Sequence, residues 1–181
     1  MRILVLGGIR SGKSQWAEAV IAESLAPGQQ VRYLATGQAD HADEVWSARV
    51  AEHRARRLAH WSTVETDDVA AELRHSPRIP TLVDDVGTWL TAALDRHHAW
   101  DAGSVVVDIE ELVAAVREFQ APLVLVSPEV GLSVVPGTAS GRRFADELGM
   151  LNQRLAALCD RVVLVVAGQP VQIKPFRGAG S

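Results

Sequence analysis

Ile3-Leu-Val-Leu-Gly-Gly-Ile-Arg-Ser-Gly-Lys-Ser14 decides the fold of this chain. Four apolar residues in a row suit a strand buried on both faces of a parallel sheet. Gly7-Gly8-Ile9-Arg10-Ser11-Gly12-Lys13-Ser14 then matches G-x-x-x-x-G-K-[ST], a phosphate-binding loop. The spacing has a physical basis. Glycines let successive backbone N–H groups turn inward on phosphate oxygens. Lys13 adds a point charge on the outer phosphates, and Ser14 offers a hydroxyl to Mg²⁺. The helix that begins here points its positive end at the anion. An apolar strand before the loop and a helical pattern after it complete the expected context.

Working outward, short apolar runs alternate with helical stretches. Val31–Ala35, Thr81–Asp84, Leu123–Val126 and Val162–Val166 read as further strands. Gly168-Gln169-Pro170 reads as a turn into an antiparallel edge strand, Val171–Lys174. Helical patterns fall at roughly 13–25, 43–59, 86–97, 105–119 and 139–159. The alternation predicts an α/β fold of mostly parallel strands with helices on both faces. Stretches 98–104 and 128–141 read as surface loops, and the tail 175–181 as frayed. One domain spans residues 1–181.

A loop of this kind needs an acid at the end of a neighbouring strand to position the metal. Asp84 is the expected residue, with Asp85 as its competitor. Residues 43–59 form a basic helix in which Arg49, His53, Arg56 and Arg57 share one face. That face suits a triphosphate, and neighbouring cations favour the neutral, nucleophilic form of His53. Taken alone, the helix reads more readily as a solvated basic surface.

Composition excludes several classes. Lys and Arg number 18 against 22 Asp and Glu, a net charge of −4, so the chain is not built to coat nucleic acid. A lone cysteine, Cys159, has no partner for a disulfide, which suits a reduced, cytoplasmic setting. It reads as a small buried residue of a helix. Neither a signal segment nor a membrane span is expected.

Gly7–Ser14, Tyr33-Leu-Ala-Thr36, Asp43-Glu44, Arg49-Val50, His53-Arg54, Trp61 and Glu65 form an ordered set. Leu82-Val-Asp84, Val126-Ser-Pro-Glu129-Val130-Gly131, Phe144-Ala-Asp146 and Asn152-Gln153 continue it. Across residues 1–174 the set resembles the bifunctional adenosylcobinamide kinase / adenosylcobinamide-phosphate guanylyltransferase family of cobalamin assembly. The resemblance implies a RecA-like P-loop NTPase fold and two reactions. The first phosphorylates adenosylcobinamide with ATP or GTP. The second transfers GMP from GTP to that phosphate and releases pyrophosphate, through GMP held covalently on His53. It implies catalytic His53 and Lys13, and Mg²⁺ at Ser14 and Asp84. Nucleotide contacts are implied along Gly7, Gly8, Ile9, Arg10, Ser11, Gly12, Lys13 and Ser14. Further contacts fall at Ala35, Thr36, Gly37, Arg54, Ala55, Arg56, Arg57, Glu65 and Asp84. Family members resemble homotrimers. Two departures stand out: Asp85 follows Asp84 where a small or apolar residue is expected, and Ser127-Pro128 precedes Glu129 where Asn is common. A single-activity metabolite kinase and a slow nucleotide switch are the rival readings.

Overall fold

The computed structural model describes residues 1–36 and 60–174. The expected basic helix over 43–59, with Gly37, His53, Arg54, Ala55, Arg56 and Arg57, lies outside them, as does the tail 175–181. Among the described residues seven strands form one sheet. They are β1 (Arg2–Gly7), β2 (Val31–Ala35), β3 (Trp61–Glu65), β4 (Thr81–Asp84), β5 (Leu123–Pro128), β6 (Arg161–Val166) and β7 (Gln169–Lys174). Their order is β3-β2-β4-β5-β1-β6-β7, parallel except for the β6–β7 pair. The helices are α1 (Lys13–Glu23), α2 (Val69–His75), α3 (Val86–Arg96), α4 (Val106–Glu118) and α5 (Ala139–Leu158). This is the expected α/β architecture of a P-loop NTPase.

Strand alternation divides the core in two. Ile3, Val5, Tyr33, Leu82, Val124 and Val126 pack on one sheet face against Ala17 and Ile21 of α1. Leu4, Leu34, Val83, Leu123 and Leu125 pack on the other face against α2 to α5. With both faces covered, the central strands need no polar side, so residues 3–6 of β1 and 123–126 of β5 are apolar without interruption.

Two elements escape the sequence reading, and both are short or marginal. β3 is an edge strand with no fully buried residue, so it lacks the apolar run that marks the central strands. α2 has only 7 residues, held by its Asp68 cap and by Val69, Ala70 and Leu73 in the core. The β6–β7 turn also differs from the expected Gly168-Gln169-Pro170. Ala167 (φ 50°) and Gly168 (φ 77°) occupy it, the two left-handed positions of the tightest hairpin turn. Gln169 and Pro170 already belong to β7, where the open edge tolerates a missing N–H. Cys159 is buried as expected but sits just past the end of α5, as its cap. Burial pushes its thiol up to about 12, so it is an inert packing group. No described helix is long and apolar enough to cross a membrane.

The core argument yields a direct comparison. Leu125 is fully buried in the sheet centre, so Leu125→Ala costs about 2–5 kcal/mol in urea unfolding of the full chain. Val171 on the open edge is half exposed, and Val171→Thr stays within about 0.5 kcal/mol of the parent.

Candidate nucleotide site

The loop between β1 and α1 sits at the carboxyl end of the sheet, where β1 and β5 are neighbours. The chain leaves β1 toward α1 on one face and leaves β5 toward α5 on the other. Such a divergence opens a crevice beyond the strand ends, the usual ligand position in open α/β sheets.

Backbone geometry in the loop is set by its smallest residues. Gly12, the N-cap of α1, adopts φ 91°, a conformation that costs other residues about 1–2 kcal/mol. A side chain at Gly7 would start 2.4 Å from the Ser11 Oγ and 2.8 Å from the Val165 carbonyl oxygen. Arg10 is also left-handed at φ 55°, a strained choice typical of binding loops. The alternation of left- and right-handed residues turns N–H groups to one side and makes an anion-binding concavity. The Gly168 N–H donates to the Ser11 carbonyl at 2.8 Å, so the β6–β7 turn clasps the loop from behind. Lys13 Nζ reaches back to the Gly8 carbonyl at 3.4 Å.

Asp84 and Asp85 separate cleanly. Alternation on β4 puts Leu82 with α1 and Val83 with the other helices, and therefore Asp84 on the α1 side. Ser14 Oγ donates to Asp84 Oδ1 at 3.1 Å, and the Tyr33 hydroxyl donates to Asp84 Oδ2. Asp85 instead caps α3, its Oδ1 accepting from the Thr88 N–H at 2.8 Å. Desolvation raises the Asp85 pKa, against the hydrogen bond from Thr88 and with the nearby charge of Asp84 adding to the rise. One acid thus faces the loop and its neighbour serves the helix.

Ser14 and Asp84 together suit Mg²⁺. Both present hard oxygen atoms on one side of the loop. Among the described residues no cluster of three or more acidic, His or Cys side chains could hold a metal unaided. A cation held by one hydroxyl and one carboxylate, completed by phosphate and water, is the ordinary magnesium arrangement.

Other predicted positions fall around this pair. Glu65, Ala35 and Asp84 lie in one row across β3, β2 and β4, all at the carboxyl end. Thr36 is buried, and its hydroxyl is committed to the turn rather than to the crevice. It donates to the Asp85 carbonyl at 2.6 Å and accepts from the Asp85 N–H at 2.9 Å. Thr36 therefore holds the Asp84-Asp85 segment. The sequence reading missed two supports, Tyr33 and Gly168. Strand register carried the signal for the first: Tyr33 pairs with Leu82, two residues before Asp84 on the same face. Nothing in the sequence ties Gly168 to a loop so far away along the chain.

The two acids predict opposite phenotypes. Asp84→Asn lowers Mg²⁺-dependent binding of a fluorescent ATP analogue about 10-fold or more, since a charged contact is worth roughly 1.5–3 kcal/mol. Asp85→Asn keeps the helix cap and removes a half-buried charge. A carboxyl whose folded pKa is raised stabilises the fold most below its unfolded pKa, and this contribution is lost as pH rises through the folded value. Asp85→Asn is therefore at least as thermally stable as the parent near neutral pH, and its advantage shrinks toward pH about 4.

Comparison with known proteins identifies the family. A family profile described as cobinamide kinase / cobinamide phosphate guanyltransferase matches residues 3–173. The chain is 44% identical over 179 residues to the bifunctional adenosylcobalamin biosynthesis protein CobP of Pseudomonas aeruginosa, covering 96% of this chain and 98% of the relative. It is 40% identical over 187 residues to the bifunctional adenosylcobalamin biosynthesis protein CobU of Escherichia coli K12, covering 96% and 100%. Agreement of this extent, end to end and through the phosphate loop, is decisive: the chain belongs to the cobinamide kinase / cobinamide phosphate guanyltransferase family.

Proposed function

We propose that this chain phosphorylates the aminopropanol hydroxyl of adenosylcobinamide and then transfers GMP from GTP to the new phosphate, through a guanylyl group held on His53. The observation that carries the reading is the Ser14–Asp84 pair beside the loop, at 3.1 Å, in a chain that matches bifunctional relatives end to end.

The loop serves each reaction differently. In the kinase step, Gly7, Gly8, Ile9, Arg10, Ser11 and Gly12 present backbone N–H groups to the β- and γ-phosphates. Lys13 follows the γ-phosphoryl as it moves to the acceptor hydroxyl. In the guanylyl step the same groups hold the β- and γ-phosphates as a departing pyrophosphate. The neutral imidazole of His53 attacks the α-phosphorus; a P–N bond forms and the α–β P–O bond breaks. A phosphate oxygen of adenosylcobinamide phosphate then attacks the same phosphorus. A new P–O bond forms, the P–N bond breaks, and the imidazole is restored. Arg54, Arg56 and Arg57 neighbour the triphosphate or guanosine together with the backbone at Ala55. Ala35, Gly37 and Glu65 line the nucleotide's far side, with Thr36 bracing the turn behind them. Ser14 and Asp84 would hold Mg²⁺, which would supply neutralisation of developing phosphate charge. ATP or GTP feeds the first step, and the chain works as a homotrimer in the cytoplasm.

GTP labelled at the α-phosphate tests the histidine role. The denatured protein is expected to carry an acid-labile, alkali-stable label that His53→Ala abolishes. Folded, kinase-active protein that takes no label would overturn the guanylyl step. Lys13→Ala is expected to slow cobinamide phosphorylation about 10²-fold or more, the scale of losing one stabilising group at a transferring phosphoryl. Light scattering of the purified protein reads the trimer directly.

A further inference from the structure

A cavity of about 480 Å³ adjoins the phosphate loop on the sheet face opposite α1. Its floor includes Leu6, the residue before Gly7. Its near wall includes Glu129, whose N–H donates to the Gly7 carbonyl at 3.1 Å. The cavity and the phosphate loop thus share a wall. Ser14 and Asp84 face the α1 side, so a triphosphate gripped there leaves this cavity to a second substrate.

The lining specifies that substrate's chemistry. Arg142, Asp146, Gly149 and Gln153 line it from α5, at spacings that share one helix face. Arg142 Nη1 donates to the Pro136 and Gly137 carbonyls, each at 3.0 Å, and so ties the β5–α5 loop down as the facing wall. Asp146 and Gln153 add a carboxylate and an amide, both exposed. Val135 and Ile173 add apolar surface and are 73% and 57% exposed. Two carboxylates, Glu129 and Asp146, against one tethered guanidinium reject a phosphate-rich ligand. They accept N–H groups, as Gln153 both gives and accepts, beside an apolar wall. That combination fits an uncharged or cationic ligand with an apolar face and a fringe of primary amides. The volume lies in the range of small-molecule sites, yet below that of a whole corrinoid with its amide side chains, so only an edge enters.

We propose that this cavity receives the amide-fringed edge of the corrinoid acceptor and aims its aminopropanol arm at the phosphate loop. The inference rests on the function proposed above, because it takes the acceptor from that reading. Gly149 is its most sensitive point. A side chain built there meets no atom within 4 Å, so it projects into open space, and leucine is a better helix former than glycine.

Gly149→Leu and Gln153→Ala are compared with the parent by titrating cobinamide and following its visible corrin absorbance. The α-labelled GTP assay and light scattering are run in parallel. Gly149→Leu is expected to raise the cobinamide Kd about 10-fold or more, and Gln153→Ala about 3- to 10-fold. GTP labelling and particle mass stay at the parent's values. An unchanged cobinamide Kd in both variants overturns the proposal. A changed particle mass also overturns it, since the cavity is then an interface between copies. A parent that binds no cobinamide and takes no label removes the functional reading itself, a result distinct from either.

Discussion

Asp84 is the point on which the site turns. Its carboxylate takes hydroxyl donors from two separate elements, Ser14 at the head of α1 and Tyr33 in β2. Those contacts lock the phosphate loop, the neighbouring strand and the metal-positioning acid into one arrangement before any nucleotide arrives. The energetic logic is preorganisation: a group already aimed at the place where charge develops needs no rearrangement during reaction. The rest of the fold can be understood as what holds Asp84 there. β4 lies between β2 and β5, and Thr36 grips the backbone immediately beyond it. Asp85 then starts α3 at once, so the strand cannot slide without uncapping a helix.

Much of this was legible in residue order because the central strands are buried on both faces and are therefore continuously apolar. The phosphate loop was legible because few backbone geometries cradle an anion, and they demand glycine at fixed spacing. Resolving Asp84 from Asp85 needed the alternation of β4 together with knowledge of which helix covers which face. β3 and α2 were not legible: one is a polar edge strand, and the other is too short for its periodicity to register. Tyr33 and Thr36 act through pairings across the sheet, and the sequence separates both from Asp84 by dozens of residues. His53 differs in kind. Its residues alone favour a plain basic helix over a nucleophile, and only the ordered set of motifs singles it out.

Two chemistries on one loop place a particular demand on the fold. A kinase sends its outermost phosphoryl away, whereas a nucleotidyltransferase keeps the outer two and releases the inner one. A rigid cradle with a single cation-positioning acid can do both if the attackers arrive from different sides. The crevice between the diverging connections of β1 and β5 has two distinct sides: α1 and the acid lie on one side of the sheet, and the α5 cavity on the other.

The clasp between Gly168 and Ser11 also bears on how the protein is made. β1 lies between β5 and β6, so the strand that leads into the phosphate loop has no neighbour in the sheet until β5, far along the chain, has followed. The phosphate loop is braced later still, when the last hairpin closes behind it. The loop therefore takes its braced shape only after β6 and β7 have formed. A nascent or truncated chain carries the whole loop motif and yet lacks the support that gives the loop its shape.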